Sequence, residues 1–426
     1  MRLPTKRLFW AVSLGHMAND LFMSMRSVVL TFLSAYVLPM SSQQIGFAVS
    51  AIELSGAISQ PFFGRWADKT GGRWLGAGGV AWTVGFILLG LLVATVTGNF
   101  LLMVIPLALA GLGSGAFHPV GSMHAAEVEP LRAGRNAALF FMFGQTGLAL
   151  GPALAGLLLN SAHSNLNDLF GTALRAASVP LLERGTVLPV FGLVVLAIPA
   201  VALMVVTLPN RQAYHSASRL SRSDAPRQYV PVARSAFVVM AAAVAFRSLA
   251  HLSTVNFMPY MFQAKGWTPA EYGFITSTFW MASGVAGVWF GSLGDRYDAR
   301  RVILLSLLVA VPAVFLLPSL NGLLAVGAAI VIGATSGSHS LIVVMTQNML
   351  PGRKGFASGA ALGYIFASAA VSNLIVGSLI DSVGTSSAYH IIAGVTLVTS
   401  VLWLLLPSMK RPTAPATTTN AVPAAS

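Results

Sequence analysis

The chain alternates between long apolar runs and short connections rich in Arg, Gly, Pro and Asn. Most of the runs reach the roughly 20 residues that a helix needs to cross a bilayer. Twelve are predicted, over 9–38, 44–64, 74–96, 99–123, 135–159, 187–208, 236–262, 270–291, 301–319, 322–348, 354–380 and 388–408. The first follows Arg2, Lys6 and Arg7, is too long for a signal-peptide core and lacks a small-residue cleavage site, so it reads as an uncleaved span. The pattern predicts an all-α membrane protein of two pseudo-symmetric six-helix bundles, residues 1–208 and 236–408. Between them lies a basic linker, 209–235, with Arg211, Arg219, Arg222, Arg227 and Arg234 among Ser, Pro and Asn. A Pro-, Ala- and Thr-rich stretch, 409–426, is expected to be a disordered tail. The connection 161–186 is long and carries an apolar stretch suited to a short interfacial helix.

Composition agrees with the pattern. Only 9% of the residues are charged, against about 25% in soluble domains, too few to build a water-soluble surface. The formal charge of +13 would suit a nucleic-acid partner, but its distribution argues otherwise. Of 25 Lys and Arg, only Arg175, Arg184 and Lys265 fall in every second connection, and Arg26 and Arg247 lie inside spans. The remainder share one side with both termini, which the positive-inside rule assigns to the cytoplasm. The basic excess is therefore topological, with the lipid bilayer as its partner and no nucleic acid. Having no cysteine, the chain cannot use disulfides, thiol catalysis or thiolate metal sites. None of its lysines follows a glycine and Gly-x-Ser-x-Gly is absent, so neither a phosphate-binding loop nor a nucleophile elbow is expected. The expectation is a protein that is not an enzyme, with no cofactor and no metal centre, active as a monomer.

The two halves repeat one another. A shift of 227 aligns Gly46, Phe47, Ser50, Phe63, Gly64 and Asp68 with Gly273, Phe274, Ser277, Phe290, Gly291 and Asp295. A shift of 221 aligns His118, Pro130, Arg132 and Gly134 with His339, Pro351, Arg353 and Gly355. Such repetition is the architecture of secondary transporters, whose substrate site lies near the midplane between the repeats. The segments Gly64-Arg-Trp-Ala-Asp68-Lys69-Thr-Gly-Gly-Arg73 and Gly291-Ser-Leu-Gly-Asp295-Arg296-Tyr-Asp-Ala-Arg300-Arg301 are expected in the loops after helices 2 and 8. They resemble the signature loop of the major facilitator superfamily, which implies a conformational latch of Gly64, Asp68, Arg73, Gly291, Asp295 and Arg301. Gly147-Leu-Ala-Leu-Gly151-Pro152-Ala-Leu-Ala-Gly156 in helix 5 is similar to the superfamily's antiporter signature, with Ala155 in place of one glycine. Glycines four apart make a flat packing face, and Pro152 adds a kink. Ser13-Leu-Gly-His16-Met-Ala-Asn19-Asp20, Gln43-Gln-Ile45-Gly46, Gln60-Pro61, Phe117-His118-Pro119 and Leu350-Pro351-Gly352-Arg353 resemble the fosmidomycin resistance protein family of efflux transporters. Arg26 and Glu53 depart from that family's pattern.

An ionisable residue at membrane depth costs roughly 2.5–3.5 kcal/mol and faces a cavity or a partner. Asp20, Arg26, Glu53 and Arg247 are in this position. At about 100° per residue, His16, Asn19, Asp20, Met23, Arg26, Ser27, Thr31 and Ser34 share one side of helix 1. Arg247, His251, Thr254 and Met258 make the corresponding stripe on helix 7, and the repeat predicts that Arg247 pairs with Asp20 across the halves. A second pair, Arg26 with Glu53, is predicted from their similar depth below the short turn joining helices 1 and 2. Asp20 and Glu53 are the expected proton-coupling residues. His16, Asn19, Arg26, His118, Arg247, His251 and His339 are the expected cavity residues, and the arginines and histidines would favour an anionic or phosphonate-like small molecule. Together these readings and the resemblance imply a proton antiporter that exports a drug or small metabolite by alternating access, in a bacterial inner membrane. An importer of an organic acid, or a nontransporting sensor on the same fold, are the alternatives.

Overall fold

The computed structural model describes residues 4–70, 72–129, 132–163, 186–210, 234–342, 345 and 354–406. The expected interfacial helix in 161–186, most of the linker and the tail lie outside them. Twelve helices follow in chain order. The first half comprises α1 (Arg7–Tyr36), α2 (Ser42–Thr70), α3 (Arg73–Thr97), α4 (Phe100–Glu127), α5 (Ala133–His163) and α6 (Val194–Thr207), the last entered through a 3₁₀ turn at Leu188–Leu193. The second comprises α7 (Arg234–Ala264), α8 (Pro269–Arg296), α9 (Ala299–Leu316), α10 (Gly322–Ser336), α11 (Lys354–Val383) and α12 (Thr385–Leu402). The face bearing the start of α1 and the ends of α2, α4, α6 and α8 is called the basic face below, and its opposite the far face.

Local sequence explains the helix ends. α8 begins with a capping box, in which Thr268 accepts from the Glu271 amide and Glu271 accepts from the Thr268 amide, with Pro269 in the first turn. Gly72, at φ 78°, makes the turn into α3 that a side chain would resist. On the basic face, cations cover the carbonyls left open at helix C-termini. Lys6 Nζ donates to Val128 O at 2.7 Å, closing α4, and Arg73 Nε donates to Leu208 O at 2.7 Å, closing α6. Arg300 does the same for Leu406, just after α12. The α3–α6 and α9–α12 clasps are therefore repeats of each other.

Nine of these helices contain a stretch long and apolar enough to cross a bilayer on composition alone; α1, α2 and α8 do not reach that hydropathy. All three run along the seam between the halves, where α1 is mostly buried, while α2 and α8 each keep an exposed apolar face, at Phe62 and Val285 among others. Two of them also extend past the predicted runs, α2 to Thr70 and α8 to Arg296. The stretches Gly64–Thr70 and Gly291–Arg296, expected in loops, are thus helical. Hydropathy registers only the apolar part of a helix that continues into water.

The halves meet along two helix pairs, α2 with α11 and α5 with α8. At the far face the Asp381 carboxylate accepts from the amides of Ser42 and Gln43, both at 2.9 Å, so α11 caps the first turn of α2 in the other half. Ser50 Oγ donates to Ala370 O at 2.6 Å further in. Gly156 and Gly273 bring α5 and α8 into backbone contact. Close approaches reach inward to Ala57 beside Gly363 and Gln145 beside Gly284. The described residues therefore form a state closed at the far face.

Candidate functional site

Three polar clusters occupy the middle of the bundle. The first belongs wholly to the N-terminal half. His16 and Asp20, one turn apart on α1, meet His118 from α4: His16 Nε2 is 3.2 Å from Asp20 Oδ2, and His118 Nε2 is 3.4 Å from Asp20 Oδ1. His16 Nδ1 faces Phe140 O at 2.9 Å, and His118 Nδ1 faces Ser114 O at 2.9 Å. Asn19 Nδ2 donates to both Asp20 Oδ1, at 3.0 Å, and Ser114 Oγ, at 3.1 Å. The His16 ring lies stacked on Phe140 with centroids 4.1 Å apart.

The second cluster bridges the halves. Glu53 on α2 accepts from Arg26 on α1, from Asn373 Nδ2 on α11 at 2.9 Å and from Asn256 Nδ2 on α7 at 3.4 Å. Asn256 also donates to Asn373 Oδ1 at 3.2 Å. All four residues are buried or nearly so. Arg26 and Glu53, expected as partners, are in contact. The two asparagines were not anticipated, although Asn373 stands in the stretch of α11 that repeats α5. A polar residue in an apolar span is their signal in the sequence.

The third cluster belongs to the C-terminal half. Arg247 donates to Ser336 O at 2.6 Å and lies 3.5 Å from Ser338 Oγ, while His251 Nε2 meets Thr335 Oγ1 at 3.1 Å. His339 Nδ1 is 3.3 Å from Ser336 O. Two backbone irregularities make this arrangement. α7 contains a π turn at Leu249–Ser253, and α10 breaks after Ser336, so that Arg247 and His339 both reach the Ser336 carbonyl. The expected Asp20–Arg247 pair does not form. Equivalent depth in the repeat does not make two residues face each other: Asp20 turns toward α4 and Arg247 toward α10, each the internal neighbour in its own half. The expectation of no metal-ligating arrangement also fails in part, because His16, Asp20 and His118 place one ligand atom each within 4.8 Å of one another. Sequence spacing missed this since α4 supplies the third group from far along the chain.

A cavity of about 800 Å³ lies elsewhere, on the flank of the N-terminal half among α2, α3 and α4, lined by Phe63, Trp66, Trp74, Trp82 and Arg73. It contains none of the three clusters.

The family model of the Major Facilitator Superfamily matches residues 12–254 and 236–425, one match for each half. The chain belongs to the Major Facilitator Superfamily. Among its relatives, the fosmidomycin resistance protein of Escherichia coli (strain K12) is 26% identical over 410 residues, covering 93% of this chain and 92% of that one. The uncharacterized MFS-type transporter YfnC of Bacillus subtilis (strain 168) is 25% identical over 409 residues, with the same coverage. The partially occluded inward-open structure of the E. coli xylose transporter XylE superposes with a TM-score of 0.69 at 13% identity, over 94% of this chain and 99% of that one. A bacterial homologue of the human lysosomal transporter Spinster, inward-facing and unoccupied, gives 0.66 at 13% identity, over 93% and 94%. The two structures show a shared major-facilitator fold, and the chain is a multi-pass membrane transporter.

The segments that resemble the superfamily's signature loop occupy defined positions. In α2, Gly64 packs beside Pro119 of α4, whereas Gly291 in α8 has open space around it. Arg73 closes α6, as described above, and Arg301 is exposed. The side chains of Asp68 and Asp295 lie outside the described ones. In the antiporter-like segment, Gly147 and Gly151 press on the α1 backbone at Met17 and Leu21, while Pro152 and Gly156 meet α8 at Gly273 and Pro269. One face of α5 thus serves both the helix beside it and the opposite half.

Proposed function

We propose that this transporter exports a small anionic molecule of the phosphonate class in exchange for protons, with the basic face in the cytoplasm and Glu53 as the coupling group. The observation that carries this reading is the set of bonds on Glu53, which reaches Arg26 in its own half and Asn256 and Asn373 in the other. Hydrogen bonds to a charged group contribute about 1.5–3 kcal/mol each, so an ionised Glu53 ties the halves together on the far side. A proton on the carboxyl weakens these bonds and eases opening there. An anion drawn to Arg26 competes with Glu53 for the same guanidinium and loosens the same tie. Without either ligand the carrier stays closed, which is the condition for exchange without leak. Asp20 has no bond across the seam, so the state of the transporter has less hold on its proton. The 26% identical relative is named for resistance to fosmidomycin, which supports an anionic phosphonate as the first substrate to test.

The test is accumulation of fosmidomycin in proteoliposomes under an imposed pH gradient. Export by proton exchange predicts accumulation when the lumen is acidic, collapse with a protonophore, and loss of gradient-driven accumulation in Glu53→Gln while exchange between equal pools persists. Accumulation only with an acidic exterior would overturn the proposal in favour of proton-coupled import.

A further inference from the structure

We propose that His16, Asp20 and His118 form a binding site for one divalent transition-metal ion of the zinc class. A backbone carbonyl only accepts, so the 2.9 Å contacts of His16 Nδ1 with Phe140 O and of His118 Nδ1 with Ser114 O put the hydrogen on Nδ1 in each ring. The Nε2 atom of each neutral ring then presents a lone pair, and both lone pairs face the carboxylate of Asp20. With both rings neutral, acceptors converge on acceptors, and the conflict is resolved by a cation: a proton on each Nε2, or one metal ion bound by all three residues in their place. Carbonyl-anchored Nδ1 with a free Nε2 is also how metal-binding histidines are oriented.

Size and chemistry fit the zinc class. Ligands held at about 2.0–2.1 Å in a tetrahedron stand roughly 3.3–3.4 Å apart. The two nitrogens stand 3.2 and 3.4 Å from the two different oxygens of the Asp20 carboxylate, and one ligand atom from each residue lies within 4.8 Å of the others, so a small closure of the set would hold the ion. Two imidazoles and one carboxylate suit zinc, cobalt or nickel rather than calcium or magnesium, which prefer oxygen alone. Three protein ligands leave a fourth position. Asn19 is fully buried with its Oδ1 unpartnered among the described residues, and turning its amide over would present that oxygen to the ion. The set is held in place by the His16–Phe140 stack and the edge-on His16–His118 contact at 5.1 Å. The Asp20 and His118 side chains keep 12% and 14% exposure against 4% for His16, so entry is from their side. In the other half the repeat puts Arg247 at the position of Asp20, and a fixed cation there excludes a second site.

The inference does not rest on the direction of transport or on proton coupling. The test is titration of the purified, tag-free full chain in detergent with Co²⁺, followed by visible absorption and calorimetry, together with thermal unfolding in Zn²⁺. The expected results are one Co²⁺ per chain with a tetrahedral-type spectrum and a raised Tm in Zn²⁺. Affinity should fall at least about tenfold in Asp20→Asn and in His118→Gln. It should be unchanged in His390→Gln, whose ring stacks on Phe315 away from the cluster. Absence of saturable Co²⁺ binding and of Zn²⁺ stabilisation in the wild type, or undiminished affinity in His118→Gln, overturns the proposal.

Discussion

Three groups donate to the Glu53 carboxyl, and its removal is not equivalent to removal of Arg26. Glu53→Gln leaves the Arg26 guanidinium buried without its counter-ion, and Arg26→Gln leaves the carboxylate with two neutral amides. Breaking one side of a buried pair typically costs about 3–5 kcal/mol. Each single variant is therefore expected to lower the Tm in detergent more than Arg26→Gln with Glu53→Gln together. Additive losses in that cycle would mean that the two residues act independently. At this scale the sequence was most informative about which residues are out of place in lipid, and the pairing of Arg26 with Glu53 followed from depth alone. It was least informative about direction. Asp20 and Arg247 share a depth, yet each turns into its own half, because a helix stripe of about 100° allows several neighbours.

At the scale of the element, the run of small residues in α5 was legible as a packing face, but not that it serves two partners. Gly156 lies where a methyl group would meet the backbone of Pro269 and Gly273 in α8. Gly156→Val is expected to part α5 from α8 at the far face, at a cost of about 1–3 kcal/mol typical of overpacking. The carrier then shifts toward a state open at the far face. A cysteine at Asn256 should react faster with an impermeant maleimide from that side in the Gly156→Val background. Gly192→Ala, with nothing near the added methyl, should leave that rate unchanged. An unchanged rate in Gly156→Val would show that this contact does not hold the seam. The π turn in α7 and the break in α10 left no hydrophobic signature. Both replace one backbone hydrogen-bond pattern with another while the side chains remain as apolar as before.

For the whole molecule, the twelve spans and the two halves could be read directly, because a bilayer demands apolar length from most helices and the internal repeat supplies the rest. The conformational state could not, since it depends on which ends of the helices touch. The absence of cysteine makes that state easy to trap. Gln43→Cys with Asp381→Cys places thiols on either side of the far-face cap that Asp381 forms on α2. A short bifunctional thiol reagent should stop transport in the double variant and leave each single variant active; continued transport by the linked protein would mean that the far face need not open. The weak hydropathy of α1 and α2 has a consequence for biogenesis. Asp20 and Arg26 in one helix and Glu53 in the next each resist entry into the hydrocarbon by roughly 2.5–3.5 kcal/mol. Residues 37–41 join the two helices so closely that they can leave the insertion machinery as one hairpin, with Arg26 already on Glu53. The ion pair that ties the finished carrier would then also be the means by which its least apolar helices enter the membrane.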